Sequence, residues 1–531
     1  MSEPPATPSY GELAALVAEQ TAQLAEQAVL IKALRVELEA LRRQVGRDST
    51  NSSQPPSTDG PGAKAKAKPG GGATGRDAQP SPDGQPSAGA PHRPRRKQGG
   101  QPGHRGSSPA PVATPDRREP VEPSCCGGCG GCGGDLAGAP GTVGARVQVF
   151  DLPVFCLAVT EYLLMRRVCA CGQASTADLP AGIRGGPTCY GPNVTAAATL
   201  LASQDVLGIE RTADLMSALL GVAVSTGFIS CCLTRLDTAL TTAGFEQALK
   251  TALGEQEVLG TDETPAPLTD TARTDAARTD TARSGQDCSN PHVYTVRTMR
   301  AYTGGGADLV WYGAAGNRTK ASISGFGILD DFRGVLVRDD FGGYLSYDAD
   351  LAGVQQCLAH VLRYLDDAHA IDTDAQAWAR QVADALRVAI HEVNTARAAD
   401  RTTVDAELLG RLRRRYDRGV AAGISTNLSR PWHQGNHPGL QLAKRLKRKA
   451  HQVWLFATRF DVPPTNNGSE SAIRGFKLAA KVQGCWRTLS TLQRHCRIRS
   501  YLVSARNHRR RPIDAIRDAL SANPWMPPQI A

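Results

Sequence analysis

The chain has 531 residues, enough for several domains of which at least one buries a sizeable core. Its 61 Lys and Arg residues outnumber 51 Asp and Glu residues, and the resulting net charge of +10 favours a polyanionic partner. No run of 18 apolar residues occurs, which excludes a membrane-spanning helix, and the opening MSEPPATPSYGEL lacks a secretory signal pattern. We therefore expect a cytoplasmic protein.

Residues 10–46 carry apolar side chains at heptad spacing, separated by strong helix formers. Nine of the eleven positions on the two seams are apolar, and the other two are Gln20 and Gln27. The pattern predicts a coiled coil through which the chain self-associates. The alternative is an amphipathic helix docked on its own domain.

Residues 47–124 are rich in Ser, Pro and Gly and contain too few apolar side chains to fold, so they are predicted to be a disordered basic linker. Cations on such a flexible backbone can follow DNA phosphates without fixed geometry. The alternative is a linker that only keeps the protein soluble. The candidate DNA-binding residues of the linker are Arg93, Arg95, Arg96, Lys97 and Arg105.

Seven of the 14 cysteines lie between Cys125 and Cys171, a crowding that indicates metal binding in a chain without a secretory signal. Two close pairs at Gly-rich turns are what a tetrahedral zinc ribbon needs, and we place this ribbon at residues 125–180. Strands are expected between the two pairs. A metal-free turn is the alternative, and Cys125 and Cys126 are alternative ligands. The zinc ligands we favour are Cys129, Cys132, Cys169 and Cys171.

Residues 190–250 have helical periodicity. A helix ending near Leu220, a turn at Gly221 and a new helix capped by Ser225 or Thr226 predict a helix-turn-helix outline. Such a pair of helices either reads DNA or packs as an ordinary helical hairpin.

Residues 255–485 follow an α/β pattern that opens with the strand EVLGTDETP, which carries Asp262 and Glu263. A repeat loop (269–283), a β-hairpin, a helix, a strand ending at Asp339, another strand and a helical insertion (372–460) come next. A helix with Glu470 closes the region, and residues 486–531 form a helical tail. This order is the ribonuclease H-like layout, in which strand ends and one facing helix bring three acids together.

Three carboxylates at one site have a defined chemical use. Two Mg²⁺ (or Mn²⁺) ions about 4 Å apart need hard oxygen ligands while keeping open positions for water and phosphate. The sequence therefore predicts Asp262, Asp339 and Glu470 as metal-binding catalytic residues. For Glu470 the alternative is a capping box with Asn467. Glu263 is the next candidate for the third acid.

Motifs along nearly the whole chain resemble those of bacterial insertion-sequence transposases of the DDE type, in family sixty-six. They include NSSQPPSTDG, KQGGQPGHRG, CGGCGGDL, YGPNVTAAATLLASQ, TDETP, RDDFGGYLSYD, CLAHVLRYL, TNNGSESAIR and RSYLVSARNH. The resemblance implies a nucleoid-associated enzyme that cleaves the element's terminal inverted repeats and transfers the strands into target DNA, with small companion proteins as possible partners. Its candidate DNA contacts in the folded region are His360, Arg363, Lys444, Arg445, Lys447 and Arg474.

The chain departs from the family pattern at two positions. Asp340 stands where the D-G-Y-x-G-Y motif has Gly, which leaves Asp339 and Asp340 as alternatives for the second acid. Ser471 stands where relatives usually have Arg. His360 is either a phosphate contact or a satisfied histidine at a helix start. Two rival functions are an inactive transposase relic that only binds DNA, and a ribonuclease H-like nuclease without strand transfer.

Overall fold

The structure is a computed structural model that describes residues 111–122, 157–180 and 191–528 except 270–287, 289, 305 and 433–435, with short stretches between 133 and 150 and between 183 and 190. The chain divides into two compact units, residues 67–158 and the remainder. The predicted coiled coil (10–46) and most of the linker and repeat loop lie outside the described residues. No described helix is long and apolar enough to cross a membrane.

Among the described residues of the predicted ribbon region (125–180), one β-hairpin forms. Strands β1 (Arg166–Val168) and β2 (Ala174–Thr176) pair antiparallel around a tight turn. The expectation of strands throughout the segment before this hairpin is wrong for the described residues 146–150 and 157–165, which adopt no regular structure. Val147, Val149 and Leu163 are exposed there, so the alternating apolar side chains are not packed against a buried surface that would stabilise a strand.

Four helices follow, α1 (Pro192–Ala202), α2 (Ile209–Leu220), α3 (Thr226–Thr242) and α4 (Phe245–Gly254). Helix α2 ends at Gly221, whose φ of 68° is the left-handed conformation that glycine adopts without strain. Helix α3 begins after Ser225, whose hydroxyl accepts a hydrogen bond from the Phe228 amide. The two helices and the turn between them lie where the sequence predicts them, while a helix-turn-helix domain that reads DNA stays a prediction.

A five-stranded sheet forms the centre of the residues from 255 onward. Its strands are β3 (Val258–Pro265), β4 (His292–Thr298), β5 (Val310–Ala315), β6 (Val335–Arg338) and β7 (Gly353–Gln356). Their order is β5-β4-β3-β6-β7, with β3, β4 and β5 antiparallel and β6 and β7 parallel to β3. The mixed α/β architecture is compatible with the predicted ribonuclease H-like core.

Short helices lie between the strands, α5 (Arg300–Thr303), α6 (Lys320–Ser324) and a 3₁₀ turn (Gly342–Tyr347). The helix predicted over residues 318–332 is therefore only one turn long. The helices after the sheet are α7 (Leu358–Ile371), α8 (Ala377–Ala398), α9 (Ala406–Asn427), α10 (Pro438–Arg448), α11 (Ala450–Thr458), α12 (Asn467–Gln483), α13 (Leu489–Asn507) and α14 (Pro512–Leu520).

Both faces of the sheet are buried. Leu259, Val296 and Trp311 face a core shared with the first four helices and with α13 and α14. Val293 and Tyr312, whose side chains point the other way, pack against α12 and α13. Burial on both sides explains why β5 (VWYGAA) and β6 (VLVR) are nearly continuous apolar runs.

Helix α13, which lies in the predicted tail, closes the outer edge of the sheet. The Ser500 and Ser504 hydroxyls accept hydrogen bonds from the amides of Tyr312 (2.8 Å) and Val310 (3.0 Å) of β5. An uncovered edge strand would present these amides to other chains. The tail is therefore packed directly onto the sheet.

The helical insertion has its own core, in which α8, α9, α10 and α11 surround the buried Tyr416 and Trp454. Helix α9 lies very close to α8, because a Cβ on Gly423 would overlap the Trp378 ring and one on Gly419 would lie 2.7 Å from Val382. The insertion is thus a compact bundle that begins directly after the sheet.

Candidate active site

The parallel pairing of β3 and β6 places two aspartates side by side. Gly260 pairs with Val337, and continuing this register by two residues sets Asp262 beside Asp339, just beyond the end of β6. Both side chains then leave the same face of the sheet, since alternate residues of a strand share a face. One oxygen of Asp339 accepts a hydrogen bond from the Phe341 amide at 2.9 Å.

The first turn of α12 brings Glu470 close to Asp262. Two hydrogen bonds fix the turn: the buried Asn466 side chain donates to the Thr261 carbonyl (2.6 Å), and Arg297 of β4 donates to the Gly468 carbonyl (2.8 Å). Gly260 allows this turn to approach β3 closely, because a Cβ there would lie 2.7 Å from the Ser469 hydroxyl and 3.1 Å from the side-chain amide oxygen of Asn466. The position of Glu470 therefore depends on β3 and β4.

The capping-box alternative for Glu470 is wrong. Helix α12 begins at Asn467, so the N-cap is Asn466, and its side chain makes no capping hydrogen bond. The side-chain amide of Asn466 instead donates a hydrogen bond to the sheet, at the Thr261 carbonyl. The carboxylate of Glu470 lies 3.5 Å from the His360 ring and 3.8 Å from the Cys357 sulfur. Glu470 therefore takes no part in capping helix α12.

Three other acids lie close enough to Asp262 to affect its pKa. Burial raises its pKa well above the usual range, and the negative charges of Glu263, Asp339 and Glu470 raise it further. Nearby like charges of this kind are costly to keep together without a cation. Clusters of acids with perturbed pKa values mark candidate functional sites.

Glu263 belongs to the opposite face of β3. Its buried carboxylate forms an ion pair with Arg318 and accepts a hydrogen bond from the Tyr344 hydroxyl at 2.8 Å. Burial is also the main reason why the pKa of Glu263 is raised. Arg318 and Tyr344 each engage one oxygen of Glu263, and the nearby charge of Asp339 also raises its pKa.

The two adjacent aspartates also have different surroundings. Asp340 forms ion pairs with Lys449 and with Arg445 (3.3 Å), both from the helical insertion. The guanidinium of Arg445 additionally lies over the Tyr364 ring, 4.7 Å from its centroid. Asp340 therefore ties the insertion to the sheet, whereas Asp339 faces the other acids.

Cys357 and His360 stand at the junction of β7 and α7, next to Glu470. Their donor atoms and a Glu470 oxygen all lie within 4.8 Å of one another, the spacing of a possible metal site. Burial raises the pKa of Cys357 to about 11, and its sulfur accepts a hydrogen bond from the backbone amide of Asn466. Mg²⁺ prefers oxygen ligands, so we assign these two side chains to the surroundings of Glu470 and not to a magnesium site.

The other predicted DNA contacts of the folded region lie on three helices. Arg363 on α7, Lys444 and Lys447 on α10 and Arg474 on α12 are exposed. Arg445, in contrast, is half-buried in its pair with Asp340. The predicted contacts Arg93, Arg95, Arg96, Lys97 and Arg105 lie outside the described residues.

The predicted zinc ligands are only half described. Cys169 and Cys171 are exposed on the turn of the β1–β2 hairpin, where hydrogen bonds from Cys171 lower the pKa of the Cys169 thiol. Cys129 and Cys132 lie outside the described residues.

Sequence reasoning missed the groups that hold the acids in place. Asn466 and Cys357 lie inside motifs that had been noted for other residues, TNNG and CLAH, and their burial next to acids was the missing information. Arg297 and Lys449 had no signal at all in the sequence, because each acts on a residue more than 100 positions away.

The sheet order and the convergent acids are compatible with the class of ribonuclease H-like enzymes that act on nucleic-acid phosphodiesters. A family model described as "Transposase IS66 family" matches residues 187–494, more than half of the chain. The chain therefore belongs to the IS66 family of transposases, which confirms the resemblance and supports a role in DNA transposition. No curated protein matches the sequence at significant similarity.

Proposed function

We propose that the protein is a DDE transposase that cleaves the ends of its insertion sequence and joins them to target DNA, with Asp262, Asp339 and Glu470 as the catalytic acids. The observation that carries the proposal is the convergence of these three carboxylates at one edge of the sheet. The chain belongs to a transposase family and has all three acids, which argues against an inactive relic.

The donor set fits a pair of hard divalent cations. It is built from carboxylate oxygens, and the pKa of the buried Asp262 is raised by its acidic neighbours, a repulsion that bound cations would offset. Two further buried oxygens at this site, those of the Asn466 side-chain amide and the Ser469 hydroxyl, have no hydrogen-bond partner among the described residues. When bound, Mg²⁺ or Mn²⁺ would activate the attacking water or 3′-hydroxyl and stabilise the leaving oxygen.

The protein's own residues supply position. Asp262 and Asp339 are fixed by adjacent strands, and Glu470 is fixed by the bonds from Asn466 and Arg297, so the acids need little rearrangement before reaction. In the part of the chain that the structure describes, the buried Nδ1 of His360 has no hydrogen-bond partner, and it lies close to Glu470. This placement suits a contact to the scissile phosphate or a second hold on Glu470.

An assay on DNA that carries the element's own ends separates the candidate functions. Purified protein in Mg²⁺ should nick these ends and then join them to an unrelated plasmid, since one site can run both phosphoryl transfers. Joined products detected by amplification across the junction would support transposition. Cleavage without any joined product would favour a nuclease, and binding without cleavage would favour a relic.

We also propose that a structural Zn²⁺ is held by Cys129, Cys132, Cys169 and Cys171, on the strength of their spacing and of the hairpin turn that carries the second pair. Purified protein should contain about one zinc per chain, measured by plasma emission spectroscopy. Replacing Cys169 and Cys171 with Ser should release it. Cys189→Ser removes another exposed thiol and should leave the metal content unchanged. Zinc retained in the double variant would contradict the assignment.

Self-association through residues 10–46 and DNA binding by the basic linker remain sequence-based proposals. They would bring two element ends together and hold them near the acids.

A further inference from the structure

Helix α9 presents four arginines on one side. Arg411, Arg414, Arg415 and Arg418 follow one another at intervals of three, one and three residues, a spacing that places them on the same face of a helix. All four are exposed, and with Gln381 of α8 they line a shallow pocket of about 370 Å³. We call these four residues the arginine patch.

The patch carries surplus positive charge. Arg411 pairs with Glu407 at 2.8 Å, and Arg415 lies 3.9 Å from Asp384, which also binds Arg387. Arg414 and Arg418 have no carboxylate within 4.0 Å in the part of the chain that the structure describes. Like charges one helical turn apart repel each other, and a bound anion would offset this repulsion.

The patch is also held rigidly. The Gln381 side-chain amide donates to the Arg415 carbonyl at 2.9 Å, and Gly419 and Gly423 let the adjoining buried face of α9 lie directly on α8. Helix α9 therefore offers its arginines from a fixed platform, which lowers the entropy lost when a ligand binds.

The chemistry of the patch selects phosphate diesters. Guanidinium groups bind phosphate oxygens with two parallel hydrogen bonds. Arg411 and Arg418 are about 10 Å apart along the helix axis, which corresponds to roughly three phosphates of one DNA strand. None of the five described residues that line the pocket is aromatic, so it offers no surface on which unpaired bases could stack. These features fit the backbone of a duplex better than a single strand.

We propose that the arginine patch binds the sugar–phosphate backbone of double-stranded DNA without reading its sequence. The inference rests on the proposed action of the protein on DNA and adds a contact surface on the helical insertion, separate from the basic face of α10. Contacts of this kind position a protein on a duplex and carry no sequence information.

The test measures duplex binding by the full-length protein in EDTA, by fluorescence anisotropy over a series of salt concentrations. Replacing Arg414 and Arg418 with Gln should weaken binding to two duplexes of unrelated sequence equally. The slope of log affinity against log salt should become shallower by about 2, because two phosphate contacts are lost. Thermal melting checks that the variant is folded.

The matched control replaces Arg401 and Lys481, two exposed cations outside the patch, with Gln. It removes the same charge and should leave the slope unchanged. Equal losses in both variants would reduce the effect to net charge and overturn the proposal, and so would an unchanged slope in the patch variant. Competition by poly-glutamate as strong as by DNA, and lost in the same variant, would indicate an acidic protein partner instead. Because no cleavage is needed, failure of the proposed catalytic function leaves this result interpretable.

Discussion

Glu470→Gln should abolish strand cleavage in Mg²⁺ while leaving the protein folded and able to bind DNA. A neutral amide is a poor ligand for Mg²⁺, and loss of one such electrostatic contribution costs at least about 10²–10³-fold in rate. Stability should change little, because Glu470 makes no capping hydrogen bond and its nearest partners are 3.5 Å or more away. Cleavage is measured on labelled element ends, and folding by thermal melting.

Glu263→Gln is the matched control, since it is the same substitution on the opposite face of the sheet. It removes the partner of Arg318 and Tyr344, so we expect a loss of stability of about 1–3 kcal/mol with cleavage retained by the folded protein. Wild-type cleavage by Glu470→Gln would remove Glu470 from the catalytic set. If cleavage were lost only in Glu263→Gln, the third acid would be Glu263.

Asp339→Asn and Asp340→Asn should have opposite effects. The first removes a carboxylate that faces Asp262, so cleavage should fall by about 10²–10³-fold or more, and stability should be unchanged or higher because repulsion with Asp262 decreases. The second leaves Lys449, whose side chain is only 11% exposed, without its carboxylate partner. A loss of about 1–3 kcal/mol in stability with cleavage retained is expected.

Measuring both variants side by side, by cleavage rate and by urea unfolding, decides which aspartate is the second acid. Inactive but stable Asp340→Asn protein, together with active Asp339→Asn protein, would reverse the assignment. Inactivity of both variants, with normal stability, would mean that the ion pairs of Asp340 with the helical insertion are also needed for cleavage.

The sequence alone predicted the order of the strands and singled out the candidate acids. Strands β5 (VWYGAA) and β6 (VLVR) are short apolar runs that are buried on both faces, so their local pattern was sufficient. The turn at Gly221 was equally readable, since its left-handed backbone conformation is a local property. Asp262 and Asp339 could be singled out because they lie in or directly after short strands, and Glu470 because it lies in the first turn of a helix.

Only the tertiary structure decided what each acid contacts. Adjacent residues of one strand look alike in sequence, yet alternation sends Asp262 to the other acids and Glu263 to Arg318 and Tyr344. Asp339 and Asp340 differ in the same way, because Lys449, 109 residues further along the chain, is the partner of Asp340. The cap expected at Asn467 is absent because the helix already begins at Asn467, and the side chain of Asn466 before it donates to the Thr261 carbonyl instead of capping. Such choices depend on groups distant in sequence, and no local pattern contains them.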